Sequence, residues 1–103
     1  MPVTEASLRD ALFRDGVPES LHNGIALYVL QGVRPGDFLS ALLQNDLAGA
    51  VLHADIQNLT LIRRHVLFVE NELPAACHGS VDAFDRWLDR GGLQGHTDES
   101  QAG

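Results

Sequence analysis

Between Asp55 and Leu73 the apolar residues Ile56, Leu59, Ile62, Val66, Val69 and Leu73 recur at steps of three and four, the spacing of one face of an α-helix. A second stripe, Leu61 and Phe68 with the ring of His65, implies neighbours on two sides. Asp55 suits the N-cap, where a carboxylate accepts the N–H groups of the first turn. Pro74 ends the run, because it lacks an N–H and disfavours helix in the residue before it. These nineteen residues would span about 28 Å of helix, enough to cross a small domain. With no strand-like alternation anywhere, the expected fold is all-α: a compact bundle of five or six short helices around a central helix at about 55–73.

The remaining segments read as those shorter helices. Thr4 to Arg14 places Leu8, Ala11 and Leu12 on one face with Phe13 beside them; Thr4 is the candidate cap and Gly16 the stop. Pro18 suits the first position of a second helix running to about Gln31, with Leu21, Ile25, Tyr28 and Val29 facing in and Gly32 ending it. Gly24 in its middle points to a close helix–helix approach, since glycine there costs roughly 1 kcal/mol against alanine. After the Arg34-Pro35-Gly36 turn, a third helix is expected from Asp37 to about Gln44 and a fourth from Leu47 to His53. Asn45 between them can adopt a left-handed conformation and Asp46 can cap the fourth helix. Ser80 caps a last helix carrying Phe84, Trp87 and Leu88, with Asp82 and Arg86 one turn apart outside and Gly91-Gly92 as the stop. Residues 1–93 read as one domain and residues 94–103 as a flexible polar tail.

A chain of 103 residues with 45% apolar and 20% charged residues is expected to bury a real core. It contains no apolar run of 18 residues and no basic segment leading into an apolar one, so neither a membrane span nor a secretory signal is expected. The single cysteine, Cys77, cannot form an internal disulfide, which fits the cytoplasm. All seven bases are arginine, and residues 1–93 carry twelve acids, a net of −5. That sign opposes a nucleic-acid footprint, which needs clustered cations, and fits a basic protein partner.

The string His22-Asn23-Gly24-Ile25, Tyr28, Gly32-Val33, Pro35-Gly36-Asp37-Phe38-Leu39, Ala41-Leu42-Leu43 and Asn45-Asp46-Leu47 resembles a family of small helical proteins encoded by phages and prophages. Ala50, Ala54-Asp55 with Asn58, Asn71 with Pro74, and Gly79-Ser80 with Trp87 extend the likeness over about residues 18–92. One position departs: the family usually carries a tryptophan just before the Gly-Ser pair, where this chain has His78. The resemblance implies an accessory protein made in the bacterial host cytoplasm. Small acidic proteins of that origin often act by binding host proteins, among them CRISPR and other defence complexes.

Candidate chemistry is sparse. His22, His53, His65 and His78 lie in separate segments without HxxxH or HExxH spacing, so no metal site or cofactor is expected. Cys77-His78 could suggest a nucleophile with its base, but neighbours in sequence usually point apart, and an inert cysteine is the simpler reading. Gly91-Gly92 lacks the lysine and strand–helix context of a phosphate loop. Asn45-Asp46 and Asp55 with Asn58 offer acceptors and amides to a partner, or serve as caps and junctions. Glu70-Asn71-Glu72 gathers two carboxylates and an amide at the end of a helix, where the dipole disfavours negative charge and an arginine-rich surface would relieve it. Arg63-Arg64 is expected to contact acids of a neighbouring helix or subunit.

These features point to a non-enzymatic protein that binds a basic host protein surface through Asn45, Asp46, Asp55, Asn58, Glu70, Asn71 and Glu72, without contacting nucleic acid or membrane. Apolar residues on two sides of the central segment also predict a homodimer. Two alternatives remain open at this level: a homo-oligomeric structural or regulatory phage protein with no host target, and a small metal-dependent hydrolase using the histidines.

Overall fold

Thr4 opens the first helix of the computed structural model, which describes residues 3–95. Its hydroxyl accepts the Ser7 N–H at 3.1 Å while Ser7 Oγ accepts the Thr4 N–H at 2.9 Å, a reciprocal capping box. Helix α1 covers Glu5–Arg14 and α2 Glu19–Gln31. Pro18 stands at the N-cap of α2, one position earlier than expected. Gly32 ends α2 with a left-handed backbone, φ +68°, sending its N–H to the Tyr28 carbonyl.

Helix α3 covers Asp37–Leu43 and α4 Leu47–His53. The tight link between them has Asn45 at φ +62° and the Asp46 carboxylate capping the Gly49 N–H at 3.0 Å. After Pro74 a 3-10 turn, Ala75–Cys77, leads to α7, Val81–Arg90, capped by Ser80 Oγ on the Ala83 N–H. Asp82 and Arg86, one turn apart on its outer face, do not form an ion pair with each other. Of the expected tail, residues 94 and 95 are helical, and residues 96–103 lie outside the described residues.

The segment 55–73 corrects the expectation of one central helix. It is two, α5 over Ile56–Thr60 and α6 over Ile62–Glu72, separated at Leu61 by a backbone turn (φ −101°, ψ 13°). The Thr60 hydroxyl donates to the Ile56 carbonyl at 2.8 Å, a back-bond that bends helices. The break also turns the two stripes differently. His65, Phe68, Val69 and Leu73 are buried, whereas Ile56 is 85% exposed, and Leu59 and Val66 are exposed as well. Phe13 likewise points outward rather than joining its neighbours Leu8, Ala11 and Leu12 in the core.

The core is organised around α2, which buries Ile25, Ala26, Tyr28, Val29 and Leu30. Tyr28 stacks on Phe84 at 5.2 Å between ring centroids. The Trp87 Nε1–H donates to the Tyr28 carbonyl at 2.8 Å, and the Arg90 guanidinium covers the indole at 4.7 Å. Gly24 faces α3 closely: a Cβ there would sit 3.1 Å from Leu39 Cδ1, the near approach its position in the sequence implies. Gly32 and Gly92 meet backbone to backbone, which joins the end of α2 to the end of α7. Among the described residues no helix is long and apolar enough to cross a membrane.

Candidate protein-binding site

Helix α6 is a ridge between two depressions. Its inward face, His65, Phe68 and Val69, anchors it to the core, leaving Arg63, Arg64, Val66, Leu67, Glu70 and Asn71 outside. On one side, the α3–α4 link and the start of the loop before α7 close a groove of about 50 Å³. Asn45, Asp46, Glu70 and His78 form its polar lining, and Leu47, Ala50, Val66 and Val69 part of its apolar surface. The Gly79 N–H donates to the Leu43 carbonyl at 2.9 Å, which holds the loop against the end of α3 and fixes His78 in the wall.

Asp46 is engaged on one side only: Oδ1 accepts the Gly49 N–H, and the residue is otherwise exposed. Glu70 is exposed and has no ion pair among the described residues. The groove is therefore lined by two acidic residues together with apolar ones. Its volume suits the end of one side chain; pockets for drug-sized ligands are larger, on the order of 300 Å³ and above.

The other sequence candidates are placed differently. Asp55 caps α5 through the Asn58 N–H at 2.7 Å. Asn58 is buried, and its amide oxygen lies 3.2 Å from His65 Nε2, so this pair serves as a cap and an internal brace and not as surface. His65 is 2% exposed, edge-on to Phe38 at 5.7 Å, and its Nδ1 has no hydrogen-bond partner among the described residues. Burial, reinforced by the Arg64 charge, lowers its pKa against a weaker opposing pull from Asp55.

Asn71 and Glu72 lie across the ridge in a broader depression of about 530 Å³, with Asp15, Arg63 and Arg64. Glu72 already accepts from Arg14 at 3.0 Å, and this contact, with Asp15, raises the Arg14 pKa. Its carboxylate is therefore occupied inside the chain. Neither Arg63 nor Arg64 forms an ion pair among the described residues, so the expected contact with acids of a neighbouring helix is not made. The Arg64 guanidinium packs against Gly16.

Cys77 is fully buried, and burial pushes its thiol up to about 12. His22 Nε2 lies 2.7 Å from the Val17 carbonyl. Among the described residues no group of three or more His, Cys, Asp or Glu is placed to hold a metal ion.

Sequence reasoning missed a set of exposed apolar residues on α4, α5 and α6. Leu47, Val51 and Leu52 on α4, Ile56 and Leu59 on α5, and Val66 and Leu67 on α6 are all exposed large hydrophobic residues. The row through Ile56, Leu59 and Val66 is visible in the sequence, but its periodicity alone does not say whether it faces core or solvent. The chain matches no protein-family model, no curated protein and no solved structure.

Proposed function

We propose that this is a small phage-type accessory protein that acts by binding a basic face of another protein. The partner we propose is a host factor of the bacterial cytoplasm such as a CRISPR or other defence complex. No catalytic role is assigned to it. One observation carries the proposal: two acidic residues, Asp46 and Glu70, line one groove together with the exposed apolar residues Leu47 and Val66. An arginine or lysine of a partner fits such a groove, its aliphatic stem on the apolar surface and its cationic head between the carboxylates. The exposed apolar residues of α4 and α5 would then extend the contact.

The net charge of −5 over residues 1–93 supports a basic protein partner over a nucleic acid. The experiment challenges immobilised protein in parallel with bacterial cytosol and with duplex DNA at physiological salt. Specific retention of basic protein, with DNA passing through, is the expected result. Retention of DNA, or of no protein, overturns the reading.

A further inference from the structure

Helix α6 carries an exposed stripe of Arg63, Val66, Leu67 and Glu70, the i, i+3, i+4, i+7 positions that share one helical face. Neither charged end of this stripe has an ion-pair partner among the described residues. Both charges also stand at the wrong pole of their own helix. Arg63 is in the first turn, where the dipole is positive, and Glu70 in the last, where it is negative.

We infer that α6 is a self-recognition element that pairs antiparallel with α6 of a second copy, in competition with a basic partner, since Val66 and Glu70 also line the groove. A twofold axis between Val66 and Leu67 sets Arg63 opposite Glu70 of the other copy, and Glu70 opposite its Arg63. The two apolar residues then meet their counterparts at the centre. A parallel arrangement would set arginine on arginine and glutamate on glutamate, so charge selects the antiparallel one. Antiparallel packing also brings each charge beside the pole of the partner helix that favours it, removing the dipole penalty at both ends.

The stripe is about 10 Å long from Arg63 to Glu70 at 1.5 Å per residue. That is short of the patch behind a stable interface, which buries roughly 1,200 Å² or more in total. The dimer therefore exchanges with monomer and dissociates in the micromolar range.

Sedimentation equilibrium over a concentration series, on wild type, Arg63→Glu, Glu70→Arg and the double exchange, tests this. Each single reversal creates like-charge pairs at both symmetric positions and is expected to weaken association by about tenfold or more. The double exchange restores opposite charges and should return the dissociation constant to within about threefold of wild type. Leu67→Asp, at the centre, should leave a monomer. Far-UV circular dichroism checks each fold, and Arg63→Gln with Glu70→Gln replaces any reversal that disturbs it. A wild type that keeps the mass of one chain through the micromolar range overturns the inference. So does a double exchange that associates no better than either single reversal.

Discussion

The Tyr28 hydroxyl donates a 2.6 Å hydrogen bond to the carbonyl of Cys77, a residue 49 positions further along the chain. Trp87 returns to the Tyr28 carbonyl from α7, so one side chain and its own backbone join α2, the 3-10 turn and the last helix. His78 and Gly79, part of the groove wall, come directly after this junction in the chain. A buried hydrogen bond thus anchors the chain immediately before the groove wall.

Tyr28→Phe keeps the ring and its stacking but leaves the Cys77 carbonyl without this donor. We expect a loss of about 1–3 kcal/mol, the cost of an unsatisfied buried acceptor. Urea denaturation read by circular dichroism measures it, and an unchanged midpoint would contradict the junction.

Cys77 is buried, and its thiol is pushed up to about 12. At mildly alkaline pH almost none of it is thiolate, the reactive form. A thiol-specific disulfide reagent should label the folded protein slowly, and rapidly once denaturant is added. Equal rates in both states would place the cysteine at the surface.

Gly32 and Gly92 touch through their backbones, and both have positive φ, +68° and +70°. A Cβ on Gly32 would lie 2.7 Å from the Gly92 nitrogen, with backbone rather than a movable side chain in its way. Gly32→Ala therefore combines a disfavoured conformation with a clash, and we expect destabilisation above about 1 kcal/mol. Gly36→Ala is the control, since nothing lies within 4 Å of a Cβ there and its φ is −65°. Equal stability of the two variants would refute the crossing.

His65 is held neutral by burial, its pKa lowered from 6.5. The unfolded chain then binds a proton that the folded chain resists, so stability should fall as pH drops below about 6.5 toward the lower folded value. At higher pH both states are neutral and this contribution is flat. Guanidinium titrations of wild type and His65→Gln across that window isolate it. The acid-side slope should be steeper in wild type, and identical slopes would show that His65 is not the group responsible.

Local physics makes much of the fold readable. Thr4, Asp46, Asp55 and Ser80 cap helices because a short oxygen-bearing side chain reaches the first-turn N–H groups, a matter of three or four residues. Asn45 and Gly32 are equally legible, since few residues tolerate left-handed backbone. The break at Leu61 is not. The brace between His65 and Asn58 spans it, and nothing in the spacing of apolar residues marks the turn. The row through Ile56, Leu59 and Val66 reads as core in the sequence yet lies at the surface, because periodicity identifies an apolar face without saying which of two faces is covered.

Of the candidate site, Asn45, Asp46 and Glu70 are each visible as polar residues at helix junctions. Their meeting with His78 requires the packing of α3, α4 and α6. Asn58 and Glu72 look equally exposed in the sequence, but their partners, His65 and Arg14, are set by tertiary structure.

The central claim is that this face grips a basic protein, and the sharpest measurement is capture by wild type compared with an Asp46→Asn, Leu47→Ser variant. Asparagine still caps α4, so the helix is retained while the groove loses a charge and an exposed apolar edge. We predict that wild type retains a basic protein from bacterial cytosol, more strongly at low salt than at high, and that the variant retains little of it. Undiminished capture by the folded variant would contradict the claim.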